Sequence, residues 1–435
     1  MKRTLATLGA VALLAGAGVS AVGAQARLAL ETFDRAWTIV RDTHFDKTLN
    51  GVDWEAVRTE LRPRAATAAS DSQLRTVIRD MLERLGQSHF ALIPSTVDST
   101  TGDRGDLTAG PGFQVRLLDR NLIVSAVDAA SAAARASVRP GWIVASIDGR
   151  NVRQMLDALP HTMPQRLLAV EAWRIAETRL RGPQGSTVRV DFVDGDAKTV
   201  SLGLERAPDL GEPVKVGNLP TMFVRVTAEE RRTPGGATAG VIGFNVWMPA
   251  VDPEFQKAVD RFRKMDGIVL DLRGNPGGLA AMLMGISGHF VADRKSLGVM
   301  KTRDSELRFF ANPRMVSAAG ERVEPFAGPV AILVDAMTGS ASECFAGGMQ
   351  SIKRARVFGQ TSMGQALPAV FDKLPNGDVL IHAYADFVTA DGTRLEGRGV
   401  VPDVEVPLSR EDLLAGKDAA MDRALQWVEE SARGR

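Results

Sequence analysis

The sequence predicts an α/β protein, and three observations predict it. Apolar residues recur at helical spacing between about residues 28 and 85, and short strands broken by glycine turns follow to about 206. From about Val214 onward, apolar strand-like runs alternate with helical ones, as they do where helices cover a partly parallel sheet. With 435 residues, 45% of them hydrophobic, the chain can fill the cores of two or three domains. It contains no internal repeat and no long low-complexity segment.

The first 26 residues set the expected compartment. Lys2-Arg3, an apolar run from Leu5 to Val22 and the small-x-small site Ala24-Gln25-Ala26 read as a secretory signal peptide over residues 1–26. A membrane anchor needs about 20 consecutive apolar residues, whereas this run is diluted by glycines and ends in a cleavage site. Export to the periplasm or the extracellular space is therefore expected, with no stable membrane span after cleavage. The 53 basic and 52 acidic residues of the chain leave it near neutral once Lys2 and Arg3 are gone, which argues against a nucleic-acid or polybasic membrane surface. A single cysteine, Cys344, excludes an internal disulfide framework, so packing must supply stability. With no His or basic residue beside it in sequence, Cys344 is expected to be a buried small hydrophobe.

Residues 27–106 are expected to form a helical region. Two segments, about Leu28 to Arg41 and Asp53 to Ala66, look helical. In a third, Leu74, Val77, Ile78, Met81, Leu82 and Leu85 share one helical face, Ser70 or Asp71 can cap the start and Gly86 stops it. That helix delivers Gln87-Ser88-His89 into a loop. From Val97 to Thr108 the composition turns polar and small, which marks a boundary; the Arg104-Gly105-Asp106 triplet inside it carries no function.

Residues 107–206 show strands at Gly112–Leu117, Leu122–Val127, Trp142–Ile147, Thr187–Val193 and Lys198–Leu204, with a short helix at Ser131–Ala136 and a helical stretch before the last two strands. Residues 207–435 carry strands at Ala239–Phe244, Gly267–Leu272 and Val330–Val334. These lead into helices at Pro253–Lys264, Leu279–Phe290 and Ala341–Ile352 respectively.

The chemistry gathers at two strand-to-helix junctions. Ser340 follows the buried-looking run Val330-Ala331-Ile332-Leu333-Val334 and opens a helix, where the helix dipole and free N–H groups can stabilise an oxyanion. Ser340-x-x-Glu343 is equally a capping box, in which both side chains only satisfy backbone donors. The loop Asp271-Leu272-Arg273-Gly274-Asn275-Pro276-Gly277-Gly278 exposes backbone N–H groups and lets Gly277 approach a tetrahedral intermediate closely; alone, it is a tight turn.

Together the two segments resemble the C-terminal-processing, or tail-specific, peptidase family, with its Asp-Leu-Arg-x-Asn-x-Gly-Gly loop and later Ser-Ala-Ser-Glu. The resemblance implies a ClpP/crotonase-like α/β core in the peptidase domain, 207–435. Residues 107–206 resemble a circularly permuted bacterial PDZ domain, through the Gly110-Pro111-Gly112-Phe113 loop and the Val138-to-Gly149 run. Trp142 departs from the usual Asp, and Pro111 removes one N–H from a loop that would hold a substrate carboxylate.

In the lysine-using branch of that family the base lies in a Thr-Phe-Gly-Lys-Gly segment; here the segment is Ser362-Met363-Gly364-Gln365-Ala366. A glutamine amide cannot take up a proton near neutral pH. The tricorn-like branch resembles this chain in its Ser88-His89 pair and in Glu396 ahead of Gly399-Val400-Val401-Pro402-Asp403. That resemblance implies Ser340 as nucleophile, His89 as general base, Glu396 acting through Ser88, and Gly277 and Ala341 N–H groups as oxyanion hole. Asp386 and Asp391 lie near Glu396 and can take its orienting role. The lead-in must then fold back onto the α/β core. His44, His161, His289 and His382 are read as structural.

The expected reaction is peptide-bond hydrolysis on polypeptide substrates, with no cofactor and no metal: there is no His-Glu-x-x-His helix, no Cys pair at zinc spacing and no phosphate-binding glycine loop. An inactive relative that holds a peptide or apolar ligand is the rival reading. A lysine dyad through Lys353 or Lys373 is disfavoured, since neither occupies the matching position. The sequence assigns no oligomeric state.

Overall fold

The computed structural model describes residues 7–95, 109–215 and 221–434, with side chains from residue 23 onward. The boundary expected between Val97 and Thr108 lies outside the described residues. The chain divides into two compact units: Met1–Gly105 with Lys301–Ser305 and Leu367–Asp386, and Asp106–Met300 with Glu306–Ala366 and Phe387–Arg435.

In the first unit, helices Thr7–Thr43, Trp54–Ala66 and Asp71–Glu83 pack around Phe33, Trp37, Leu61, Leu74, Ile78 and Met81. The first helix is longer than the periodicity predicts and runs through Ala24-Gln25-Ala26 without a break. Among the described residues no helix is long and apolar enough to cross a membrane. Asp53 and Ser70 cap the second and third helices by accepting from Ala56 N–H and Gln73 N–H, as their residue types favour. Full burial of side chains such as Phe33, Leu61 and Ile78 stabilises the unit by about 1.5–3 kcal/mol each.

The same unit contains a hairpin from far downstream. Strand Val379–Ala383 pairs antiparallel with both Ala91–Ile93 and Ala369–Lys373, and Leu374 and Leu380 join the core of the helices. Residues 367–386, which the sequence places in the peptidase domain, therefore group with the helical region. The reason is that Ala91–Ile93 alone leaves its backbone groups unpaired, and this hairpin supplies the partner strand.

The two largest sheets lie in the second unit. In the first, the antiparallel strands run in the order Phe113–Leu118, Asn121–Val127, Ile143–Ile147, Thr187–Val193, Thr199–Glu205. Helices Ala132–Arg135, Val152–Asp157 and Gln165–Leu180 accompany them over a core of Val115, Val124, Val144, Ala172, Val190 and Phe192. All the strands expected from the sequence in this segment are present, shifted by about one residue at their ends, as helix and strand boundaries commonly are.

The second sheet has the order Val226–Arg232, Thr238–Phe244, Gly267–Asp271, Val330–Val334, Arg356–Gly359, Val404–Glu405. The first pair is antiparallel and every later pair is parallel. Helix Ala419–Arg433 covers one face, where Met421, Ala424 and Val428 meet Ala239, Val241, Val269, Ala331 and Leu333. Gly240 alternates to the other face, and a Cβ there would lie 2.2 Å from the Phe262 ring, so only glycine lets helix Val251–Phe262 pack this closely. The carboxyl ends of Gly267–Asp271 and Val330–Val334 lie side by side, the edge of an open α/β sheet where sites form.

Candidate active site

The two loops leaving those strand ends are tied together. Val330–Val334 is buried throughout, and the buried Asp335 after it accepts Gly274 N–H and Met337 N–H, each at 2.9 Å, and Arg116 Nε–H at 2.7 Å. Burial opposes ionisation of Asp335, but the Arg116 charge and these hydrogen bonds hold its carboxyl below the ordinary value. Thr338 Oγ1 donates to Leu272 O at 2.9 Å, and Gly339 N–H to Asn275 O at 3.0 Å.

Ser340 leaves this turn with φ 52° and ψ −119°, a backbone that costs a non-glycine residue about 1–3 kcal/mol. An ordinary N-cap serine is extended, so the simple cap does not account for its geometry. Ala341 N–H, at the first helical position, has no intrahelical acceptor. Gly277 lies against both residues: a side chain there would place its Cβ 2.5 Å from Ser340 Cβ and 2.9 Å from Ala341 N. Gly277 N–H itself donates to Asn275 Oδ1 at 3.0 Å, so in this conformation it is held by its own loop.

Glu343 does more than the capping box predicts. Its Oε2 accepts Ser340 N–H and Gln365 N–H, each at 3.0 Å, and its Oε1 accepts Ser362 Oγ–H at 2.5 Å and Gly364 N–H at 2.6 Å. One buried carboxylate thus joins the backbone of the serine to the 362–365 loop. Burial pushes its pKa up to about 7, against the hydrogen bonds, which favour the anion. Ser340 N–H also donates to Gln365 O at 2.9 Å, so Gln365 occupies the loop position opposite the serine and acts there through its backbone. The role of Glu343 was hidden in sequence because a staple and a cap need the same residue at the same spacing.

The other expected site residues are placed as follows. Ser88 Oγ lies 2.7 Å from His89 Nδ1 in the first unit, and His89 holds a left-handed φ of 59°. The ring is half-buried, and burial lowers its pKa to about 4. The buried His44 donates Nε2–H to Gln87 Oε1 at 2.8 Å, fixing the residue before Ser88. Glu396, in the second unit, accepts Ala366 N–H at 2.9 Å through Oε2. Asp391 is engaged in its own turn, by Thr389 Oγ1 at 2.5 Å and Thr393 N–H at 3.2 Å. Cys344 is buried, as are His44, His289 and His382, while His161 is exposed. Among the described residues no cluster of three or more His, Cys, Asp or Glu is arranged to hold a metal ion.

One edge of the antiparallel sheet packs beside the serine turn within the second unit. Phe113–Leu118 is an edge strand beside helix Gln165–Leu180. Leu117, Ala169, Val170 and Trp173 at one end pack with Ala336, Met337 and Met363, and Met363 lies 3.1 Å from where a Gly339 Cβ would be. At the other end is Gly110-Pro111-Gly112-Phe113, where Pro111 O accepts Ala133 N–H and Gly112 O accepts Asp128 N–H.

A strained serine at a strand-to-helix junction, with an open backbone donor beside it, is the arrangement of a serine-type peptidase, a hydrolase, and comparison with known proteins agrees. Residues 238–406 match the model of peptidase family S41, and residues 29–83 that of the Tricorn protease C1 domain. Over these residues the chain is similar to the S41 peptidases, and CtpA-like and carboxyl-terminal-processing proteases are among the proteins it matches. It is 24% identical over 410 residues to a probable CtpA-like serine protease of Staphylococcus haemolyticus, covering 92% of this chain and 72% of that protein. It is 25% identical over 386 residues to a carboxyl-terminal-processing protease of Synechocystis sp., covering 86% and 80%. A Staphylococcus aureus relative is 24% identical over 346 residues, and there the match spans 61% of the relative's length. Among solved structures, the photosystem II D1 C-terminal processing protease superposes with a TM-score of 0.58 at 23% identity, covering 90% of this chain and 98% of that one. Mature CPAF complexed with lactacystin superposes with a TM-score of 0.62 at 13% identity, covering 94% and 98%. These likenesses concern the fold.

Proposed function

We propose that this protein is an exported endopeptidase that cleaves polypeptides near their C-termini through an acyl-enzyme on Ser340, with His89 as the base. The observation that carries the reading is Ser340 itself, held at φ 52° with the Ala341 N–H beside it. Gln365 stands where a lysine base would, and its amide cannot accept the serine proton. His89 is the candidate that remains: with Nδ1–H donating to Ser88 Oγ, 2.7 Å away, Nε2 keeps the proton-accepting lone pair.

In the proposed cycle His89 Nε2 takes the Ser340 Oγ proton as Oγ bonds to the scissile carbonyl carbon. The resulting oxyanion is received by Ala341 N–H and by Gly277 N–H, the latter after exchanging its bond to Asn275. His89 then protonates the leaving amine as the C–N bond breaks, and water reverses the sequence to release the acid. Glu396, through Ser88, orients and polarises His89. The parallel sheet is proposed as a ClpP/crotonase-like core, and the antiparallel sheet as a PDZ domain whose edge strand Phe113–Leu118 receives an extended segment. Residues 1–26 are proposed as its cleaved signal peptide.

A labelled fluorophosphonate tests the assignment. Wild-type protein should form an adduct on Ser340, Ser340→Ala should form none, and His89→Ala should react at least about 1,000-fold more slowly. Wild-type protein left unlabelled, or His89→Ala labelled at the wild-type rate, rejects it.

A further inference from the structure

The proposed chemistry needs two separate chain segments to hold their mutual position: the Gly277-Gly278 turn and the first turn of helix Ala341–Ser351. One residue outside both is bonded to each. Trp247 N–H donates to Gly277 O, and Trp247 O accepts Leu279 N–H, both at 2.8 Å, which makes a parallel bridge to Gly278. In such a bridge the bonds go to the residues flanking Gly278, so the N–H of Gly278 points away from Trp247. Gly278 has φ 139°, and a Cβ on it would lie 2.4 Å from Trp247 O; the contact admits glycine alone.

The side chain of Trp247 reaches the other segment. Its Nε1–H donates to Ser342 Oγ at 2.8 Å, two residues past the nucleophile, and both residues are fully buried. The indole packs on Phe345 of the same helix, with ring centroids 5.2 Å apart, and on Phe244 at 4.9 Å. These contacts of Trp247 are to groups that do not react in the proposed cycle.

We infer that Trp247 is a positioning residue, which sets the spacing between the oxyanion-side turn and Ser340 through its backbone bridge and its indole bond to Ser342. The inference rests on Ser340 being the nucleophile. A displacement of about 1 Å in such a constellation lowers turnover by about 100-fold, so the bond should show in the acylation rate rather than in substrate affinity. Trp247→Phe keeps the backbone bridge and most of the packing but removes the Nε1 donor; Ser342→Ala removes the acceptor with a smaller change of shape.

The test is a cycle of the two single variants and the double variant in the full chain, reading the fluorophosphonate acylation rate at Ser340, peptide kcat and KM, and Tm. Each single variant should acylate about 10-fold or more slowly with KM within about two-fold, and the double variant should be no slower than the worse single one. Unchanged acylation in either folded variant, losses that multiply in the double variant, or a Tm loss alone would each overturn the inference while leaving the Ser340 assignment intact. A wild-type chain that never labels removes the assignment and the inference together.

Discussion

Asp378 receives the Arg75 guanidinium in a forked pair, Nε–H to Oδ2 and one terminal N–H to Oδ1, each at 2.9 Å, between residues 303 positions apart in the chain. Both side chains are essentially inaccessible to water, and Asp378 also accepts Ser95 N–H and Asn376 Nδ2–H at 2.8 Å. Burial opposes ionisation of Asp378, and Arg75 with the backbone donor outweighs it, so its carboxyl lies below the ordinary value.

Breaking that pair from one side leaves a buried cation without its partner. Asp378→Asn should therefore lower the unfolding free energy by about 3–5 kcal/mol, read by urea denaturation. A loss below about 1 kcal/mol would mean the pair is solvated in solution.

As the proposed base, His89 should set the acid limb of activity. Its pKa is lowered from 6.5 to about 4 by burial, so the folded state resists protonation. The stability that this neutral imidazole contributes is present in full above 6.5 and is lost as pH falls toward about 4. Buried His289, also near 4, adds to the same window, so the activity profile and not stability isolates His89. The acid limb of kcat/KM should fall well below 6.5, approaching about 4; a limb at 6.5 or above would exclude His89 in this environment as the base.

Glu343→Gln replaces an acceptor of four hydrogen bonds with an amide that has one acceptor oxygen. We expect kcat to fall about 10- to 100-fold with a small change in KM. Because burial raises the Glu343 pKa from 4.5 to about 7, the folded state holds its proton more tightly, and the associated stability is present below 4.5 and lost as pH rises through about 7. The difference in unfolding free energy between wild type and variant should follow that trend; a difference independent of pH would count against it.

Gly277→Ala should reduce turnover by about 100-fold or more. The turn has φ 108° and its Cβ would sit 2.5 Å from Ser340 Cβ. Activity within about three-fold of wild type would show that the turn and the serine separate during the reaction.

Much of this was readable from the chain because the relevant signals are local. Ser70 before a periodic run marks a capped helix, and the fully apolar Val330–Val334 marks a buried parallel strand; both are found. The Gln365 position follows from the motif spacing, and its backbone does meet Ser340. The hairpin Ala369–Lys373 and Val379–Ala383 escaped because its partner lies about 290 residues upstream, and no local pattern reports a pairing that distant. Strands Lys295–Thr302 and Glu306–Ala311 carry charged residues at their ends and middle, which blurs alternation. Trp247 left no trace, since a buried indole looks like any other core side chain until its Nε1 partner is known.

The helical unit is spliced together from distant stretches of chain, and that has a consequence for how the protein is made. Synthesis proceeds from the N-terminus, so a ribosome that has completed the three helices has yet to add the strand and the aspartate that Arg75 awaits. Until residue 383 has emerged, that unit stays an unfinished half with an unpaired strand edge, and a fragment ending before the hairpin should require a chaperone to stay in solution.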